Sequence, residues 1–338
     1  MTSLTRDDLE RNTASASFGT LGFDGLSALC RASATANRPD AVLGQDPRGS
    51  LPIAYSESRA LRLGVPGCVV CDGQTCPAAD QAELPGGELA WFTPNLYPIT
   101  YPFEGEAPLH GLHLVHWSSL AHDGGLIGAD APTAAALLRH LAAAEEFLLH
   151  HADDSYPDTG EGHRGHVGVI KNRGRGVGGS VEHDHQQILL CSEPFAEPLR
   201  TKGLAGILRA EANAERTVDS IDNLATTLVP SFMRRPLCAF IVPAGEDSGW
   251  LHHMSPDVLD ATAFAIARLT LAVSECMSAA GAEPAWNLVC HTGPGCGPLF
   301  ELRAFTQPLG GYEHLGLYLC EERPETSAAR LRQAINDG

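Results

Sequence analysis

Positive charge is scarce in this chain of 338 residues: 23 lysines and arginines face 41 aspartates and glutamates, for a formal net charge of −18. That balance argues against a nucleic-acid polymer as partner, because such binding releases counterions from phosphates against a basic surface. Long apolar runs are missing too. No stretch reaches the roughly 18–20 residues needed to span a bilayer, and no basic segment followed by an apolar one opens the chain, so no membrane partner is expected. The ten cysteines, at 30, 68, 71, 76, 191, 238, 276, 290, 296 and 320, are scattered rather than arranged as a disulfide framework. They read as mostly reduced thiols of a cytoplasmic protein. No short-period repeat stands out, although two halves of similar structure are compatible with the pattern.

An apolar fraction of 43% is enough for substantial cores, and the length exceeds one typical domain. Residues 1–20 are polar and expected to be loosely ordered, and 39–52 is loop-rich. Apolar residues around Leu112, Leu114 and Trp117 mark a strand, and an alanine- and leucine-rich helix over 133–151 starts from a cap at Asp130 or Thr133. Another strand covers 166–171 and a helix lies near 199–216. Strands near 237–242, 286–291, 299–305 and 315–320 alternate with helices over 255–280 and 324–336. This mixture predicts an α+β fold with largely antiparallel sheets flanked by helices.

The chemistry is concentrated between Gly174 and Gln187. Glycines at 174, 176, 178 and 179 let backbone N–H groups approach an anion closely, and Lys171, Arg173 and Arg175 add charge beside them. A glycine loop alone is common and carries little weight. The histidine pair changes that: His183 and His185 stand two apart before the apolar Ile188, Leu189 and Leu190. On a strand, His183, His185 and Gln187 share one face while Asp184 and Gln186 point away. A phosphate-handling enzyme with an imidazole nucleophile needs these parts in this order.

Upstream, Cys68 and Cys71 have the two-residue gap that lets two thiolates hold one tetrahedral zinc, with Gly73 suited to the tight turn after them. A lone pair of this kind also fits a redox couple or two core thiols, so it needs partners. Candidates are His122 and one member of the histidine pair; Cys76 fits the spacing less well. Two cysteines with two histidines make a closed structural site.

The run from Asn172 through Gly174, Gly178, Gly179, Ser180, His183 and His185 to Gln187 resembles, without a gap, the active-site motif of the galactose-1-phosphate uridylyltransferase family of the histidine-triad superfamily. Cys68, Cys71 and Gly73 resemble that family's zinc knuckle, and Phe92-Thr93-Pro94-Asn95 its base-binding strand. The segment 118–123 resembles the part that supplies a third zinc ligand. Farther on, 287–294 resembles a later strand, and Gly311-Tyr312-Glu313 with 324–332 the closing strand and helix.

The resemblance implies two histidine-triad-like units, at 1–195 and 196–338, with the catalytic one first. It implies structural zinc on Cys68, Cys71, His122 and His183, with His185 as nucleophile and Gln187 bonded to the nucleotidyl phosphate. Substrate-binding roles would fall to Asn95, Asn172, Gly178, Gly179, Ser180, Tyr312 and Glu313. The activity implied moves a nucleoside monophosphate from a nucleotide sugar or nucleoside triphosphate to a phosphorylated small molecule such as a sugar 1-phosphate. The alternatives are a nucleotide-sugar phosphorylase, a hydrolase, or a non-catalytic nucleotide-binding protein. Dimerisation is implied by the resemblance alone.

Several positions depart from the family pattern. Asp184 stands where the family has proline, and the phosphate-binding glutamine expected beyond Glu313 is replaced by the Leu317-Tyr318-Leu319 stretch. The family's N-terminal phosphate-binding arginines have no clear counterpart, Arg38 and Arg48 being the candidates the sequence offers. Relatives with a second metal use histidines of which only His291 aligns here, so no iron is expected. Gln187 occupies the place of a third histidine in the hydrolase branches; an amide has no titratable proton to give, which favours transfer over hydrolysis. The other histidines, including His140, His150, His151, His163, His252, His253 and His314, carry no motif and read as solvated or incidental.

Overall fold

The computed structural model describes residues 6–13, 16–39, 43–46, 51–55, 57, 67–103, 109–195, 202–245 and 249–338. The chain forms two compact units interleaved in sequence. The first comprises Met1–Gly125, His140–Val169 and His183–Arg200; the second comprises Leu126–Arg139, Ile170–Glu182 and Thr201–Gly338.

The first unit holds helices α1 (Arg6–Thr13) and α2 (Phe18–Ala34) and strands β1 (Leu43–Asp46), β2 (Leu51–Ala54), β3 (Asp80–Glu83), β4 (Leu89–Pro94) and β5 (Gly111–Trp117). Helix α3 (Ala131–His151) enters this unit from the second. Strands β6 (Asp158–Gly160) and β7 (His163–Arg164) form a small antiparallel pair. Strand β8 (His166–Arg173) runs out of the unit, and β9 (His185–Cys191) returns to it. Here the sheet order is β9-β5-β4-β3, with antiparallel pairing at each step. All seven residues of β5 are buried, including the polar His113 and His116, so both faces of the strand are covered. Helix α2 covers β4 and β5. Its Phe18 packs on Phe92 at 5.4 Å and on Phe147 of α3 at 4.9 Å, while Leu26, Leu112, Leu114 and Ile188 are fully enclosed. Side chains of this size each contribute roughly 1.5–3 kcal/mol on burial.

In the second unit, α4 (Leu204–Glu211), β10 (Thr217–Ile221), β11 (Ala225–Leu228), β12 (Ala239–Pro243), α5 (Pro256–Ala279), β13 (Trp286–His291) and β14 (Leu299–Ala304) precede α6 (Gly311–His314) and α7 (Pro324–Asp337). The sheet order is β10-β11-β12-β14-β13, again antiparallel at each step. Proline at its first turn and Asp257 beside it suit the start of α5. Leu259, Thr262, Ile266, Leu269, Val273 and Met277 then recur at helical spacing on its buried face. That face packs on β10, β11, β12 and α7.

The architecture is therefore α+β with largely antiparallel sheets flanked by helices, as the sequence predicts. Asp130 is the cap of α3: its carboxylate accepts from Thr133 N–H at 2.9 Å. The segment 315–320 is not the expected strand. Glu313 accepts from the N–H groups of Gly310 and Leu319 at 2.8 and 3.1 Å, which folds the segment back around its own carboxylate. Leu315 and Leu317 are left exposed. Gly311-Tyr312-Glu313 accordingly lies in the short helix α6, not in a strand. Among the described residues, no helix is long and apolar enough to cross a membrane.

Candidate functional site

The site in the first unit begins with the turn at Cys68. N–H groups of Asp72, Gly73 and Gln74 donate to the carbonyls of Cys68, Val70 and Val69 at 2.8, 3.0 and 2.7 Å, and Val70 is buried as the anchor. This knuckle turns both thiols to one side. Cys68 Sγ lies 3.5 Å from His183 Nδ1, Cys71 Sγ 3.9 Å from the same nitrogen, and Cys71 Sγ 3.6 Å from His122 Nδ1. One ligand atom from each of Cys68, Cys71, His122 and His183 lies within 4.8 Å of all the others. Tetrahedral zinc with the usual Zn–S and Zn–N lengths separates its ligand atoms by about 3.3–3.8 Å, so this donor set fits that ion.

The orientation of His183 fits as well. Its Nε2–H donates to the Ser119 carbonyl at 2.6 Å, which leaves Nδ1 without a proton and facing the two sulfurs. Fixing the ring through its second nitrogen is how proteins usually prepare a metal-binding histidine. Burial lowers the His183 pKa and more than offsets the opposing Ser119 bond, keeping the ring in the neutral form a metal requires. Burial and the neighbouring Cys68 raise that of Cys71, as expected for two thiols competing to ionise. Cys76 is not a member of the cluster.

His183 does not belong to the strand as the alternation predicts: β9 begins at His185. The extended backbone before it still places the next ring usefully. His185 Nδ1–H donates to the His183 carbonyl at 2.8 Å, so in the neutral ring Nε2 carries the lone pair. Trp117, opposite His185 in the β5–β9 register, lies 5.2 Å from it ring to ring. Gln187 is half-buried and follows on the same face of β9. Its amide meets His113 at 2.9 Å, and Asn95 Nδ2 lies 3.1 Å from the same ring nitrogen. Asp184 turns to a different neighbour: its carboxylate packs directly on Gly125, where any Cβ would overlap it.

Gln186 points to the opposite face, and there the structure has a network that the motifs do not signal. Gln186 Oε1 lies 3.0 Å from both Ser118 Oγ and His116 Nδ1. His116 Nε2 is 3.1 Å from His140 Nδ1, and His140 Nε2 is 2.9 Å from Asp80. His140 is thus buried and paired rather than solvated, and His163 is 1% exposed. Sequence reasoning does not find His113 and His116, because they lie on β5 outside any motif. Their spacing of three puts them on opposite faces of the strand.

The second unit carries the glycine loop and the residues beyond it. Asn287 Nδ2 donates to Asn172 Oδ1 at 2.7 Å and to the Val177 carbonyl at 2.9 Å, bracing the loop against β13. Gly179 N–H donates to the Gly174 carbonyl at 3.0 Å, and a Cβ on Gly179 would sit 2.8 Å from that oxygen, so only glycine closes this turn. Gly178 and Ser180 are exposed, as are Arg173 and Arg175, whereas Lys171 is buried. Tyr312 is exposed and Glu313 is engaged by its own loop. Arg38 lies over the Phe103 ring in the first unit at 5.9 Å, and Arg48 is outside the described residues.

His291 is buried beside a carboxylate. Its Nε2 lies 2.9 Å from Glu301, which also accepts from Arg303 at 2.7 Å. Burial alone would raise the Glu301 pKa, but these two bonds bring it down to about 2 from 4.5. A folded value below the unfolded one stabilises the protein above pH 4.5, and the contribution is lost as pH falls through about 2. Replacing Glu301 with Gln is expected to cost about 3 kcal/mol at neutral pH. It should also flatten the acid limb of a stability–pH curve followed by chemical denaturation.

An antiparallel α+β fold with a two-cysteine, two-histidine cluster beside an imidazole of fixed tautomer defines the class of protein. No family model matches the chain, and no curated protein matches it. Solved structures do match. A uridylyltransferase is similar with a TM-score of 0.70 at 18% identity, over 87% of this chain and 98% of that one. A mutant uridylyltransferase is similar with a TM-score of 0.68 at the same identity, over 87% and 99%. An ADP-glucose phosphorylase from Arabidopsis thaliana, with ADP-glucose bound, gives 0.64 at 18%, over 88% and 99%. The chain has the fold these enzymes share.

Proposed function

We propose that the protein is a nucleotidylyltransferase built of two histidine-triad-like halves, at 1–195 and 196–338, that works through a covalent nucleotidyl-histidine. The observation that carries this reading is the His185 ring, whose Nδ1–H is held by the His183 carbonyl so that the lone pair is on Nε2, with the Gln187 amide following on the same face of β9. The Nε2 lone pair attacks the α-phosphorus of a nucleotide sugar or nucleoside triphosphate. The bond from that phosphorus to the bridging oxygen breaks, and the sugar phosphate or pyrophosphate leaves. The positive charge gained by the ring is stabilised through Nδ1–H and the His183 carbonyl. A phosphate oxygen of the acceptor then attacks, the P–N bond breaks and the ring returns to neutrality, so one difficult displacement becomes two.

Gln187 donates to the transferring phosphate. Gly178, Gly179, Ser180 and Asn172 supply N–H and O–H donors for its oxygens, and Asn95, the residue that follows β4, is assigned to the base. Tyr312 and Glu313 are assigned to the acceptor side. Zinc on Cys68, Cys71, His122 and His183 holds the segment that carries the nucleophile and takes no part in bond making. The uridylyltransferase likeness supports transfer between nucleotide sugar and sugar phosphate. The likeness to an enzyme crystallised with ADP-glucose favours a second reading, phosphorolysis with inorganic phosphate as acceptor.

Incubation with nucleotide sugars labelled at the α-phosphate decides between them. Acid-labile label on the protein, discharged by a sugar 1-phosphate, is the result expected for a transferase. Discharge by inorganic phosphate alone identifies the phosphorylase. Protein that takes no label from any donor is a nucleotide-binding protein without this chemistry.

A further inference from the structure

The Gln187 side chain has two ends of similar shape and opposite character, and the phosphate-handling role needs the NH2 end. We propose that His113 is a positioning residue that fixes the direction of the Gln187 amide, so that its NH2 faces the incoming phosphate. This rests on the assignment of His185 as nucleophile and Gln187 as phosphate donor.

The first constraint comes from the backbone. Ile99 N–H donates to His113 Nδ1 at 3.1 Å, so that nitrogen carries a lone pair and the proton of the neutral ring is on Nε2. Nε2 lies 2.9 Å from the Gln187 side-chain oxygen and donates to it. Gln187 turned end over end would set its NH2 against Nε2–H, donor against donor. Asn95 cannot reverse the assignment. Its Oδ1 accepts from Tyr97 N–H at 2.8 Å, which directs Nδ2 to within 3.1 Å of the same ring nitrogen, but a nitrogen that already bears a proton accepts nothing from it.

The backbone N–H of Ile99 thereby sets the polarity of the His113 ring and, through it, of the Gln187 amide. His113 is 2% exposed, so water cannot take over its role, whereas Gln187 is half-buried. With Oε1 committed to His113, what remains for a ligand is the pair of N–H bonds. A hydrogen bond to a charged group at this point accounts for roughly a ten- to hundredfold effect.

Two measurements on the full-length protein test this. Two-bond 15N–1H spectra of the histidine rings are expected to show His113 with a proton on Nε2 and none on Nδ1; a proton on Nδ1 overturns the proposal. Kinetics with UDP-glucose and ADP-glucose as donors, on His113→Leu, Gln187→Ala and the double variant, supply the second readout. Each single change should lower kcat/KM roughly ten- to hundredfold, and the double variant should be no worse than Gln187→Ala alone. Losses that multiply would make His113 merely structural and overturn its positioning role. If His113→Leu does not fold, the ring spectrum of the unaltered protein still decides. The predicted tautomer with no nucleotide transfer from any donor overturns the transfer reading and the phosphate end of the proposal. Transfer with the other tautomer overturns the His113 assignment alone.

Discussion

Replacing His185 with Ala is expected to abolish the acid-labile nucleotidyl-enzyme and to lower turnover by at least about 10^4-fold, the scale seen when a nucleophile is removed from a two-step displacement. The size follows from the division of labour. Donor N–H groups and binding contacts stabilise a transferring phosphate but form no bond to it, whereas the lone pair on His185 Nε2 is what splits the reaction in two. The ring also has its second nitrogen committed to the His183 carbonyl at 2.8 Å. A residue that only binds would not need that tautomer. The ring is buried and lies tilted against Trp117 at 5.2 Å, so a loss of stability in the variant has to be separated from a loss of chemistry. The measurement is label retained on the protein after a single exposure to α-labelled nucleotide sugar, with thermal melting alongside. Label retained by His185→Ala at the wild-type level would refute the proposed nucleophile.

Loss of the metal is expected to be nearly as damaging, through stability rather than chemistry. Zinc bound by two thiolates and two imidazoles carries about 10–16 kcal/mol of apparent binding free energy in small peptides, against the roughly 5–15 kcal/mol that holds a typical domain folded. Only part of that is at stake here, since β5, β9 and α2 have an apolar core of their own. A metal on this cluster would nevertheless tie the knuckle at Cys68 to the segment at His183. Strong chelation, or Cys68→Ser, should release about one equivalent of zinc and lower the melting temperature by roughly ten degrees or more. The His183 segment also carries the carbonyl that fixes the His185 tautomer. Transfer should therefore fall earlier in a chelator titration than global unfolding occurs. Protein that binds no zinc after growth in zinc-containing medium, with an unchanged melt in chelator, would remove the metal from the scheme.

Much of the site is legible in the sequence because local spacing carries it. His185 and Gln187 are two apart on β9, so strand alternation places them on one face, whereas His183 falls just before the strand. The Cys68–Cys71 spacing is equally local, and His122 comes from the resemblance. The structure brings all four candidate ligands together. The strand expected over 315–320 fails for a reason invisible in composition: its apolar residues look like a buried strand, but Glu313 captures the backbone N–H groups of Gly310 and Leu319 and folds the segment on itself. His140 reads as incidental because helical position says nothing of the His116 and Asp80 side chains that come to meet it from β5 and β3.

The sequence by itself determined the α+β class, the glycine loop, the paired thiols and the order of the two histidines, because each depends on spacing within a few residues; it did not disclose α1 and α2 near the start of the chain, where loose order is expected, or strands β10 and β11. Tertiary structure alone decided which nitrogen of each ring carries its proton. That choice is made by groups distant in the chain, the Ser119 carbonyl for His183 and Ile99 N–H for the ring that holds Gln187. A proton's position depends on the partner across a hydrogen bond, and partners are set by folding.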